Sequence, residues 1–502
     1  MAHKGPSLAG RAILAIVLMV GFYLLAIGIA LGILAIPVLE VAATGRLHIK
    51  LALFCVVGGL VILASVVPRP DTFPEPGPRL EPDKHPRLFA ALRGVAEATG
   101  QEMPAEVYAI PRVNAFVAQR GGMMGFFSRR VMGLGIPLMQ SMTVGELKAV
   151  IAHEFGHFHG GDTRLGPFIY KTRSAIGRTV TNLRSTGSSL LHAPFEAYGM
   201  LFLRITHGIS RAQEFAADRL AATTVGSAPL VSGFEKISAV AAAYDGFLDS
   251  ELAPAFEGGY RPPMVQGFAS FLEAPKVAEA MGTISEGARK EVESDPFDTH
   301  PPTAARIEAV EGLEGPAPAP GDDAPAIGLL EPESLAALEK ELLYALVGDA
   351  ALVMEKQEAR WEDLGAKLYT PQWAAKAERL AGALPAGCTL AGLSECLEDQ
   401  KAIAVGLFGP DAQEAPDEVI ASAVTNFVGS AVAAKLVADG WDLSAAPGAE
   451  VTVTSGERTV APFELARGLA QGELDAEAWG TRVAELGIGD VVLGADSTEE
   501  PT

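Results

Sequence analysis

The sequence predicts a mainly α-helical protein with a small β-sheet, carried behind an N-terminal pair of membrane-crossing helices and followed by a separate α-rich or α+β module. Three observations predict it. Two long uncharged runs lie near the N-terminus, helical periodicity with paired His and acidic residues dominates the middle, and short β-leaning runs precede it. The chain has 502 residues, enough for three or four structural units. It is 49% hydrophobic with 20% charged residues, and its mean hydropathy is +0.25. That composition excludes disorder along the whole chain.

Residues 12–39 contain no charge, and residues 51–68 contain none either. A bilayer needs about 20 apolar residues, so residues 1–67 read as a transmembrane hairpin with spans at about 12–39 and 51–67. The first run is too long for the apolar core of a signal peptide, and a second follows it. Lys4, Arg11, Arg69, Arg79, Lys84 and Arg87 flank the hairpin, whereas Arg46 and Lys50 lie in its loop. Six against two places both termini, and with them the large domain, in the cytoplasm. Seven prolines within residues 68–86 read as a stiff, extended tether.

Net charge is −22, and it is unevenly spread. Residues 311–502 carry 34 Asp and Glu against 11 Lys and Arg, a net of −23, so residues 1–310 carry +1. Nucleic acid is therefore not an expected partner. The proline-rich stretch 312–326 reads as a linker between residues 87–311 and an acidic C-terminal domain, residues 327–502. In that domain, residues 335–356 and 373–384 have helical patterns. Three cysteines make neither a disulfide framework nor a thiolate metal cluster, and Cys388 and Cys396 read as buried thiols in a reducing compartment.

Thr143-Val-Gly-Glu146 has the form of a capping box at a helix start. The helix it opens contains His153-Glu-Phe-Gly-His157. Two imidazoles four residues apart project from one helix face and can share a metal, with Glu154 placed to act as a base toward water. Zinc requires a third protein ligand. A His three residues after Gly160 would supply it, but position 163 is Thr163. The remaining solution is a carboxylate from a later helix. Glu214, 57 residues beyond His157, is the natural ligand, and Asp218, one turn on, could accept the free ring N–H of a ligating His. His159 is two residues past His157 and faces away.

Three stretches then carry a resemblance: residues 146–157, residues 210–218 and Thr299-His-Pro-Pro-Thr-Ala-Ala-Arg-Ile307, with Asn114-Ala-Phe116 ahead of them. In this order they resemble the HtpX-like and CAAX-prenyl-protease-like family of membrane zinc metallopeptidases, over roughly residues 85–310. The resemblance implies a gluzincin-type peptidase domain with one Zn2+ per chain. It implies His153, His157 and Glu214 as ligands, Glu154 as catalytic base, and His300 and Asn114 lining the cleft. His300 is the candidate donor to the oxyanion. It further implies protein or peptide substrates, a bacterial inner (cytoplasmic) membrane and a role in membrane-protein quality control.

The sequence departs from such relatives between the two metal-site helices. There the longest uncharged stretch beside the second helix is residues 197–203, too short to span, so two spans are expected rather than four. The basic residues of 164–184 read as a solvated face, with anionic lipid as the alternative. The runs 105–110, 113–119 and 130–138 read as strands, and an edge strand beside the site would bind an extended peptide. The expected function is a membrane-anchored endopeptidase. The alternatives are a processing protease with one substrate and a non-catalytic membrane scaffold.

Overall fold

Thr143 caps the candidate metal helix as its sequence predicts. In the computed structural model, which describes residues 8–67, 74–120, 129–158, 166–184, 189–290 and 301–493, the Thr143 N–H donates to Glu146 Oε2 at 2.8 Å. The Glu146 N–H donates to Thr143 Oγ1 at 3.2 Å. Glu146 is 4% exposed and also accepts from Lys236 Nζ at 2.7 Å and from the Ser232 hydroxyl at 2.5 Å. Burial alone pushes its carboxyl up. The Lys236 and Ser232 hydrogen bonds outweigh that and hold it below the usual glutamate range. A lowered native pKa contributes stability above the unfolded value, and that contribution is lost as pH falls through the native one. Glu146→Gln should therefore cost about 1–3 kcal/mol at neutral pH. Thermal melts of the full chain should show the gap to wild type closing as pH drops below about 4.3.

The chain divides into two compact units. The first comprises Met1–Ala242 and Ala280–Gly348. It opens with α1 (Leu8–Thr44) and α2 (Ile49–Val66), both long and apolar enough to cross a membrane. Next come β1 (Arg79–Leu80), α3 (Pro86–Thr99), β2 (Glu106–Ile110), β3 (Ala115–Arg120) and β4 (Arg129–Gly135). These strands form one sheet in the order β1-β2-β4-β3, antiparallel except for the β2/β4 pair, so β3 is an edge strand. The expected third strand stops at Gly135, because Pro137 opens α4 (Ile136–Ser141) instead. The expected tether is likewise shorter than its prolines suggest, since Arg79 and Leu80 pair with Tyr108 and Val107.

Then follow α5 (Val144–Gly156), α6 (Gly166–Arg184) and α7 (Ser189–Thr224). Gly156 sets how closely α5 and α7 approach. A methyl group there would lie 2.7 Å from Ala217 Cα, so any larger residue would force the helices apart. The helices α6 and early α7 pack on the apolar pair: Phe22, Ala26, Ala30 and Ile62 share one core with Ala175, Leu183, Phe195 and Phe202. The chain leaves this unit within α8 (Ser227–Phe247). It gives α9 (Ala253–Glu257) and α10 (Met264–Glu273) to the second unit, and α11 (Pro275–Ala288) brings it back. The first unit closes with α12 (Thr303–Val310) and α13 (Pro332–Val347).

Residues 312–326, read from sequence as a linker, belong to this first unit. Asp322 O and Ala324 O accept the N–H groups of Gly145 and Val144 at 2.8 Å each, and Asp322 Oδ1 accepts from Lys148 Nζ at 2.6 Å. The segment thus satisfies amides that a helix start leaves free.

The second unit comprises Ala243–Glu279 and Asp349–Thr502, so it starts later than the expected boundary at 327 and recruits an earlier segment. The run 335–356 is two helices, because Gly348 takes a left-handed φ of 75° and Asp349 caps the next turn. The unit is α+β. The helices Thr370–Ala383, Asp417–Ala438 and Pro462–Ala470 surround a core including Leu380, Val424, Phe427, Val432 and Trp479, beside a three-stranded sheet. Asp417–Ala438 is also long and apolar enough to span a membrane by length and composition, and its apolar residues fill this core. Cys388 and Cys396 form a disulfide, contrary to the expected pair of thiols; the short turn between them brings their Cα atoms to 6.6 Å. Cys55 is buried and free.

Candidate metal centre

Four side chains from α5 and α7 converge. His153 and His157 lie at the C-terminal end of α5, with His157 as its cap residue and ring centroids 4.8 Å apart. Gly156 admits α7 beside them, and Glu214 reaches both rings. Its Oε2 lies 3.6 Å from His153 Nε2 and its Oε1 lies 3.5 Å from His157 Nε2. Asp218, fully buried, holds the other nitrogen of His153, with Oδ1 2.8 Å from Nδ1. That bond fixes the ring so that Nε2 faces Glu214.

Glu154 completes the cluster. One ligand atom from each of His153, Glu154 and His157 lies within 4.8 Å of the others. His153 and Glu214 are each 6% exposed, whereas the His157 side chain is 28% exposed, so the site opens on the His157 side.

Arg306, on α12, is the residue that sequence reasoning quoted without assigning it a part. Its Nε and Nη2 donate to the two oxygens of Asp218 at 2.9 and 2.7 Å, a two-pronged bond. Nη2 stands 3.4 Å from both ring nitrogens of His153, 3.7 Å from Glu214 Oε2, and the guanidinium lies 4.1 Å from the centre of the Phe234 ring. Burial pushes the Asp218 carboxyl up, but Arg306 and His153 outweigh it and hold the group below the usual aspartate range. Burial likewise lowers Arg306, and Asp218, Glu214 and Glu154 more than restore it. A lone Arg seven residues beyond Thr299 carries no spacing signal toward Asp218. Only the packing of α12 on α7 brings them together.

The donor set fits a divalent metal of borderline softness: two imidazoles and one carboxylate, with an open side. Ligands of a tetrahedral zinc at about 2.0–2.1 Å stand about 3.4 Å from one another, close to the observed 3.5 and 3.6 Å. Three carboxylates against one guanidinium leave a formal −2 when both imidazoles are neutral.

The other candidate residues are placed differently. Asn114 lies in the bend before β3 with an exposed side chain, and its carbonyl accepts the Gly135 N–H at 2.8 Å. His300 and His159 lie outside the described residues.

A helix presenting His153 and His157, met by a glutamate from a second helix, is a set of groups able to hold one divalent metal. Residues 82–314, a little under half of the chain, match the model of peptidase family M48, and over this segment the chain is similar to HtpX-like members of that family. Curated relatives are each named Protease HtpX. That of Idiomarina loihiensis is 29% identical over 173 residues, 30% of this chain and 56% of the relative. That of Mannheimia succiniciproducens is 26% identical over 212 residues (39% and 72%), and that of Xanthomonas axonopodis pv. citri is 24% identical over 250 residues (46% and 73%). The chain thus spans little more than half the length of the first of these. No solved structure matches the chain.

Proposed function

We propose that the chain is a membrane-anchored, zinc-dependent endopeptidase. The observation that carries this reading is Glu214 standing 3.5–3.6 Å from the Nε2 atoms of both His153 and His157, with Glu154 beside them. His153, His157 and Glu214 would hold the ion, which would supply Lewis-acid chemistry toward a water and a carbonyl. Glu154 takes the proton from the attacking water on its carboxylate and returns it to the leaving amine. Asp218 and Arg306 keep the His153 ring in one tautomer and orientation. His300 donates toward the charge that develops on the scissile carbonyl oxygen, and Asn114 lines the cleft. The edge position of β3 supports binding of an extended peptide by strand addition, which reads backbone more than side chain.

The charge distribution around the hairpin supports a catalytic domain in the cytoplasm, anchored in a bacterial inner membrane, and a role in membrane-protein quality control is what the resemblance carried by residues 146–157, 210–218 and 299–307 implies. The test is bound metal and cleavage in one preparation. The full chain, purified in detergent, should hold about one zinc and cleave casein. A chelator should remove both and added zinc restore both. Absence of zinc after metal-replete purification would overturn the reading. Zinc with cleavage of a single protein among many would favour a dedicated processing protease.

A further inference from the structure

We infer that Arg173, Arg178 and Arg204 form a binding site for the phosphate of an anionic membrane lipid, at the end of the hairpin where α2 runs into the peptidase domain. This goes beyond the proposed peptidase activity and depends only on α1 and α2 crossing a bilayer.

Depth comes first. Leu191, at the start of α7, lies over Gly58, where a methyl group would be 3.2 Å from Leu191 Cδ1. Gly58 is eight residues short of the end of α2, about 12 Å along a helix. The loop-side ends of α6 and α7 therefore lie alongside the two spans, below the end of α2. Along α7, Ala193, Pro194, Ala197, Met200 and Leu201 form an exposed apolar face, and the next residue on it is Arg204, also exposed. An apolar face ending in an arginine marks a membrane boundary.

The other two arginines bracket that boundary. Arg178 Nη2 donates to Ser65 O at 3.4 Å, one residue before the end of α2. Arg173 Nη2 donates to Thr206 Oγ1 at 3.0 Å, two residues beyond Arg204. Arg173 and Arg178 are five residues apart, about 7.5 Å of helix rise, which matches the thickness of a headgroup layer of about 5–8 Å.

Charge pairing supplies the last step. Deeper in the same helix pair, Arg184 has a carboxylate, Glu196, at 2.6 Å. Among the described residues, Arg173, Arg178 and Arg204 have none within ion-pair distance. Arg173 and Arg178 are half-buried, and each keeps a buried Nε without a partner. Half-buried guanidinium groups need an anion, and at this depth the available anion is a lipid phosphate.

The test uses the full chain in nanodiscs made from equal parts phosphatidylcholine and phosphatidylglycerol, with co-purifying lipid counted by native mass spectrometry. Wild type should retain phosphatidylglycerol preferentially. Replacing all three arginines with Gln should cut that preference about a hundredfold, and Arg204→Gln alone, on an exposed face, about fivefold. Replacing all three with Lys should keep most of it. Unchanged preference in the folded Gln variants would overturn the proposal. Release of the lipid by millimolar inorganic phosphate would overturn the lipid as its source.

Discussion

Glu154→Gln is expected to lower casein cleavage about 10²–10⁴-fold, the usual worth of a positioned general base, while bound zinc stays near one per chain. The two readouts separate two roles that the geometry places close together. One ligand atom of Glu154 lies within 4.8 Å of those of His153 and His157, so on distance alone it could be a third ligand. Glu214 is the stronger choice for that position because its two oxygens face the two Nε2 atoms separately. If Glu214 is the ligand, Glu214→Gln loses metal and Glu154→Gln does not. Loss of zinc from the Glu154 variant, with retention in the Glu214 variant, would reverse the assignment.

Arg306→Ala is expected to weaken zinc binding about 10–100-fold, the usual cost of losing a partner behind a metal ligand. It should also destabilise the metal-free protein by about 3–5 kcal/mol. Two consequences of one truncation produce these losses. Asp218 is fully buried, and without Arg306 its charge has His153 as its remaining partner. Either the aspartate takes up a proton or the ring shifts, and both disturb the nitrogen that faces Glu214. Arg306→Lys should rescue little, because a point charge cannot make the two-pronged bond to both Asp218 oxygens. Competition with a chromophoric chelator measures the affinity, and melts of the metal-free protein measure the stability. A variant that loses stability but binds zinc as tightly as wild type would reduce Arg306 to a packing residue.

Much of the centre was legible in the chain because helical spacing is local. Thr143 and Glu146 are three apart, His153 and His157 four, Glu214 and Asp218 four, and a 3.6-residue period places each pair on one face without knowledge of the fold. The apolar runs were legible for the same reason: a bilayer sets a length that can be counted. Residues 312–326 were not, since prolines and glycine announce a break in secondary structure but not what the extended chain then packs on. Cys388 and Cys396 were not, because pairing depends on how a turn closes.

By itself, then, the sequence determined the elements and the chemistry they carry: two apolar helices, an α5 with His153, Glu154 and His157, and an α7 with Glu214 and Asp218. Tertiary structure decided how far apart those groups stand. A bare Gly156 lets α7 approach to where Glu214 touches both imidazoles, and α12 delivers Arg306 to Asp218 from 88 residues further along the chain. It also carried α6 and early α7 down alongside the membrane pair, which no run of uncharged residues announces. The physical reason is the same in each case. Periodicity and length act within one element, whereas close approach and ion pairing between elements depend on side-chain volume and burial at positions that the linear order does not bring together.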